Sequence, residues 1–261
     1  MIKRYPGWQG SLIVAFPCML AACSFSLHDT NNYHASARVH RVIQASGVQN
    51  VRVVNVSGDV IVVGSNRSDV EVNAVVRAPD KGALQKISVL VDRTGDSIRV
   101  QTKYPTVFFS FGGDSLGRVD YVIHVPRSVA VSTANVDGGV KVSGVDGDVT
   151  AASVSGDVEA STIHGNLNLE TTSGTIVGSA RTVSPGIQLS AGSVSGDVSL
   201  RIPRSSAANI GAHSVSGDFS SNLGMPKPNG TVGTSLNATL NGGGAKITLS
   251  TVSGAMTLTG F

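Results

Sequence analysis

Between Val136 and Ile176 the apolar positions keep step with glycine. Gly138, Gly147, Gly156, Gly165 and Gly174 recur every nine residues. Two positions after each stand Val140, Val149, Val158, Leu167 and Ile176; four after stand Val142, Ala151, Ala160, Leu169 and Gly178. A step of two keeps side chains on one face of a strand. Seven positions after come Val145, Val154, Ile163 and Thr172. That step of three suits a strand that turns a corner and tucks its next side chain inside. The pattern predicts a short strand, a corner and another short strand, repeated with one inner face.

Nine residues cannot make a full turn around an apolar interior, since at about 3.3 Å per residue the perimeter would be only about 30 Å. Two units per coil, about 18 residues, with coils about 4.8 Å apart, is the geometry expected. Gly196, Gly217 and Gly254 follow Gly174 at intervals of 22, 21 and 37 residues, so they read as further coils. Met256, Leu258 and Phe261 then take the inner places of the last coil, with Phe261 expected to plug the open end. Upstream, Val51–Val56 alternates into Ser57-Gly58-Asp59, with Val60 and Val62 following. Asp69–Val75 and Ile98–Val100 alternate as well, predicting strands. Residues 83–88 are compatible with a helical turn, although 87–91 reads better as strand.

The recurring Val-Ser-Gly-Asp-Val, at 56–60, 154–158 and 194–198, resembles the bacterial DUF4097 type of candidate adhesins with β-strand repeats. The resemblance spans roughly residues 40–261 and includes Asp120–Pro126. It implies an all-β fold, a single-stranded, right-handed β-helix or β-solenoid with coils of about 18–22 residues, on envelope proteins, and it brings no catalytic residues.

The N-terminus adds a location. Lys3 and Arg4 precede an apolar run from Ser11 to Leu20, of signal-peptide length and short for a membrane span. Leu20-Ala21-Ala22-Cys23 resembles a bacterial lipobox, with Cys23 as the acylated residue. The expected organisation is a lipoprotein signal peptide (1–22), a flexible tether (23–38) and a β-solenoid domain (39–261), with irregular entry strands over 39–125 and regular repeats over 126–261. Ser24 after the cysteine resembles the outer-membrane sorting pattern. With Cys18 removed in the leader and Cys23 lipidated, no thiol remains for a disulfide or metal.

Composition supports this. Thirty-one glycines and 14% charged residues favour an all-β chain. The isoelectric point near 9.0 owes part of its value to the leader. Removing Lys3 and Arg4 leaves 18 basic against 17 acidic residues, a balance that gives no argument for nucleic acid.

Chemistry is sparse. Asp59, Asp148, Asp157, Asp197 and Asp218 follow Gly58, Gly147, Gly156, Gly196 and Gly217. Calcium-binding β-rolls carry three glycines per unit, and Asn166, Thr175 and Ala255 stand in the same place here, so corner chemistry is the better reading and no metal or cofactor is expected. His124, His164 and His213 have no partner nearby in sequence. Phe108, Phe109 and Phe111 beside Gly112 and Gly113 form a loop that either folds over the solenoid end or meets a partner or glycan. The resulting expectation is a lipid-anchored envelope protein, adhesin-like or scaffolding and not an enzyme, with an envelope protein or glycan as partner. The alternative is a β-helix enzyme acting on an envelope or extracellular polysaccharide, which would need two carboxylates and a base in one groove.

Overall fold

A computed structural model describes residues 33–104, 117–226 and 233–261. The leader, Cys23, most of the tether and the phenylalanines at 108, 109 and 111 lie outside the described residues.

Alternation of apolar and polar residues produces strands almost throughout. The chain opens with β1 (Ala35–Gln44), β2 (Asn50–Val54), β3 (Val60–Ser65), β4 (Asp69–Ala78), α1 (Lys81–Lys86), β5 (Ser88–Thr94), β6 (Ser97–Lys103) and β7 (Arg118–Pro126). The regular beat occupies β8 (Ala130–Asp137), β9 (Val140–Ser143), β10 (Val149–Ser155), β11 (Val158–Ile163), β12 (Leu167–Ser173), β13 (Ile176–Ala180), β14 (Gln188–Ser195) and β15 (Val198–Ile202). The chain ends with β16 (Ala208–Ser216), β17 (Phe219–Ser221), β18 (Thr234–Leu240), β19 (Ala245–Ser253) and β20 (Met256–Gly260). β1 begins inside the stretch expected to be tether. α1 starts where Asp80 accepts a hydrogen bond from the Ala83 amide, and its C-cap Ile87 is already extended, so the predicted turn and the predicted strand both form.

Among the described residues the strands make two ten-stranded sheets. Through the regular region successive strands alternate between them: β8, β10, β12 and β14 lie in one and β9, β11, β13 and β15 in the other. From β8 to β13 each strand runs parallel to the one two further along. Val149 pairs with Leu167, 18 residues on, and Leu167 with Leu189, 22 residues on. The inner positions bear this out, because Val140, Val149, Val158, Leu167 and Ile176 are all buried.

The nine-residue units are not equivalent, and this corrects the expected inner places. Val145 and Ile163 are buried, whereas Val154 is exposed and Thr172 likewise faces solvent. After Ala160 a register shift around Thr162, at φ 58°, lets the chain advance three residues and bring Ile163 inside. The other sheet has no such shift. There Ala151 is followed inward by Ser153, and Val154 turns out. The structural repeat is therefore the 18-residue pair.

The stacking order also departs from the sequence order. β14 pairs not with β16 but with β19, and β16 lies on β19's far side. β15 pairs with β20, which in turn pairs with β17. The last strand pair is thus inserted between the two before it. The N-terminal end does the same: β2 sits between β6 and β8, and β3 between β7 and β9. The entry segment is accordingly part of the same stack. Phe261 does not plug the core. It is 53% exposed, with the Arg201 guanidinium 5.7 Å from its ring.

Antiparallel strands finish the ends: β1–β4–β7 on one sheet, and β5–β6 and β16–β18 on the other. Edge β17 is only three residues long, and edge β1 exposes Arg38, His40 and Arg41. Short and charged edges discourage pairing with another chain. At the N-terminal end Tyr121 hydroxyl lies 2.6 Å from Thr102 Oγ1, which donates to Asn55 Oδ1 at 2.8 Å. Burial pushes the Tyr121 phenol up to about 12. An unfolded tyrosine ionises near 10, so the burial supports the fold fully below pH 10 and is lost as pH rises towards 12. Alkaline denaturation should therefore steepen above pH 10 by about 3 kcal/mol in all, and Tyr121→Phe should remove that part of the slope.

Candidate functional site

The sequence singles out the glycine corners, and the structure brings them into one column. Amide-to-carbonyl bonds run from Gly58 to Asp137, Gly138 to Ser155, Gly156 to Ser173, Gly174 to Ser195, Gly196 to Ser253 and Gly254 to Ser216. The column order is therefore 58, 138, 156, 174, 196, 254, 217. Gly147 and Gly165 belong to the opposite corner, where Gly147 N–H reaches the Arg127 carbonyl.

The aspartates follow the same column. Asp59 Oδ1 accepts the Gly139 amide at 2.9 Å, Asp157 Oδ1 that of Thr175 at 2.8 Å, and Asp197 Oδ1 that of Ala255 at 2.8 Å. At the opposite corner Asp148 Oδ1 accepts the Asn166 amide, and Asn166 Oδ1 that of Gln188. Each carboxylate thus bonds the next strand pair rather than its own turn. Read down the column, the positions are Asp59, Gly139, Asp157, Thr175, Asp197, Ala255 and Asp218. Acid alternates with neutral residue, so neighbouring carboxylates stand about 9.6 Å apart, two strand spacings. That spacing limits their repulsion and leaves no pair to converge on a cation. No cluster of three or more metal-ligating side chains occurs among the described residues.

Acids become adjacent only at the N-terminal end. There Asp120 Oδ1 accepts the Asp59 amide at 3.0 Å, and arginines neutralise both groups. Arg118 bonds Asp120 at 2.6 Å and Asp59 at 3.1 Å, and Arg77 bonds the other Asp120 oxygen. This is two carboxylates with a base, the feature a polysaccharide-cleaving site would need. Every one of those oxygens is engaged by an amide or a guanidinium, so the cluster closes the stack and has no free acid to offer.

Sequence reading missed a second column. Three residues before each corner glycine stand Asn55, Asn135, Ser153, Thr171, Ser193, Thr251 and Ser214, and the first six are buried. Ser153, Thr171, Ser193 and Thr251 donate to the glycine carbonyls of the preceding strand pair at 3.0–3.3 Å. Asn135 donates to the carbonyls of both Gly58 and Gly138. The signal was present, since every copy carries a small hydroxyl or amide there. Thr171→Val keeps the shape but leaves the Gly156 carbonyl unpaired, and should cost about 1–3 kcal/mol in chemical denaturation.

The histidines acquire partners that sequence distance hid. His164 Nδ1 lies 2.7 Å from Asp146 Oδ1 at the corner opposite the glycine column, and His213 Nδ1 lies 3.3 Å from Ser235 Oγ. His124 pairs across strands with Glu71. None of the three meets an assembled nucleophile and base.

The outer face of the sheet containing β10 is mostly polar. Its central row reads Arg52, Ser132, Thr150, Asn168, Ser190, Thr248, Gly211 and Asn237 across eight neighbouring strands. The Toastrack DUF4097 family model matches residues 129–259, half of the chain. The chain belongs to that family. The Toastrack match takes in the regular beat and the swapped C-terminal pair but begins after β7, so the entry strands lie outside it. Among curated proteins none matches the chain. A crystal structure of a candidate cell adhesion protein from Clostridium sporogenes is similar with a TM-score of 0.52 at 9% identity, over 87% of this chain and 100% of that one. That likeness supports the fold alone. A candidate adhesin from Bacteroides fragilis aligns at 13% identity over 86% of this chain and 97% of its own, with a TM-score of 0.40.

Proposed function

We propose that this Toastrack protein is a lipid-anchored component of the cell envelope that acts by binding or scaffolding and carries out no reaction. In this reading Cys23 is acylated, the anchor lies in the outer membrane, and residues 39–261 form a closed, two-strand-per-coil solenoid held out from the lipid. The solenoid faces are then the working surfaces. The observation that carries the non-catalytic part is the condition of the corner carboxylates: they alternate with neutral residues or are tied to amides and arginines, while the central row of the outer face offers mainly serine, threonine and asparagine. Membership of the family and the adhesion named for the Clostridium structure agree with it.

Two measurements test it. Cys23→Ala should abolish incorporation of labelled palmitate and leave the precursor uncleaved; unchanged labelling and processing would remove the anchor. A photo-crosslinking residue at Thr150 or Ser190, on that outer face, should trap a discrete envelope component in intact cells. Trapping nothing beyond what a probe at buried Leu169 traps would count against that face.

A further inference from the structure

Close backbone contacts explain why the corner residues of the stack are glycine. Gly211 has no such explanation. It lies in the middle of β16, its φ is outside the left-handed region, and a Cβ added there would come no closer than 3.7 Å to His213 Nε2 and 3.8 Å to Asn237 Oδ1. Neither backbone nor packing requires its missing side chain, and glycine in a strand interior weakens the strand. A hollow of about 610 Å³ opens on the outer face of β18, β16 and β19, of a size that takes small ligands.

Strand register builds the walls. Gly211 stands between Asn237 on β18 and Thr248 on β19, and Asn209 stands between Thr239 and Lys246. Thr239 donates to Asn209 Oδ1 at 3.2 Å, which turns that amide's nitrogen free as a donor. Ser235 engages His213 Nδ1, and Nε2 is the ring nitrogen nearest the space above Gly211. Lys246 brings a cation, and no carboxylate lines the hollow. Side-chain amides, a hydroxyl and an imidazole over a glycine floor can pair the adjacent hydroxyls of a sugar ring, each hydroxyl both giving and accepting a hydrogen bond. Lysine without a lining acid favours an anionic group on that ring.

We propose that this hollow is a binding site for a uronate residue of an acidic polysaccharide, with Asn209, Asn237 and His213 on the ring hydroxyls and Lys246 on the carboxylate. This goes beyond the scaffolding role and does not depend on the lipid anchor.

The test titrates the full-length protein with trigalacturonate and with its methyl ester, read by calorimetry. The acid should bind and the ester should bind at least about tenfold more weakly. Gly211→Thr raises a side chain from the floor of the hollow, in a residue that suits a strand, so it should leave Tm unchanged or higher while weakening trigalacturonate at least about tenfold. Lys246→Gln, at an exposed position, should erase the difference between acid and ester. Absence of trigalacturonate binding up to about 10 mM, equal binding of acid and ester, or undiminished binding by Gly211→Thr would each overturn the assignment.

Discussion

Deleting residues 245–261 should unfold the C-terminal half of the stack, where removal of a simple last repeat would trim one end. β19 and β20 are interior strands, so their loss leaves β14 and β15 open on one side and strips β16 and β17 of their parallel partners. The buried side chains lost include Ile247, Leu249, Met256 and Leu258. At about 1.5–3 kcal/mol each, they account for roughly 6–12 kcal/mol, comparable with the whole stability of a domain, about 5–15 kcal/mol. Limited proteolysis of the shortened chain should cut throughout residues 188–240, with a fall in β signal larger than the deleted strands explain. A Tm within a few degrees of the full chain would show that the last pair is an end cap.

The second large effect is expected at Gly174. Its φ is +153°, and a Cβ there would run into the backbone carbonyl of Gly156 in the neighbouring strand pair. A backbone atom cannot rotate away as a side chain can, so Gly174→Val must either break the corner ladder or push two strand pairs apart. Strain of about 1–3 kcal/mol from the conformation adds to the lost packing and hydrogen bonds, and a total above about 4 kcal/mol is expected in urea unfolding. Gly211→Thr is the control: also a glycine, but one inside a strand with space for a side chain, and no loss is expected.

Much of this fold was legible because an apolar period constrains which side chains face inward. Val149, Val158 and Leu167 were placed inside by spacing alone, and they are inside. Stack order was not legible, for a physical reason. Leu189 with Ala191, Ile210 with Ala212 and Ile247 with Leu249 present the same inner pattern, so any of these strands can lie on any other as far as burial is concerned. Charge breaks the tie. In sequence order Asp197 and Asp218 would be neighbours, and inserting the strand pair with Ala255 separates them. The equivalence of the nine-residue units failed for a similar reason. Val154 and Val145 have the same spacing from a glycine, but only on the side of β9 and β11 does the chain take a step of three into the core. At the candidate site the sequence singles out the corner aspartates, but their bonds to the next strand pair depend on which strands stack and are not legible from it. The hollow at Gly211 was invisible, since it depends on which strands flank β16.

Stack order is the claim on which the C-terminal architecture rests, and a disulfide reads it directly. Val194, Val252 and Val215 are exposed and lie in successive strands, between the register pairs Ser193–Thr251 and Ser195–Ser253 on one side and Ser214–Thr251 and Ser216–Ser253 on the other. In a chain with Cys18→Ser and Cys23→Ser, Val194→Cys with Val252→Cys places the two Cα atoms about one strand spacing, about 4.8 Å, apart and should form a disulfide under mild oxidation. Val194→Cys with Val215→Cys spans about two spacings, beyond the reach of about 7 Å, and should remain reduced. A disulfide between 194 and 215 with none between 194 and 252 would contradict the inserted C-terminal pair.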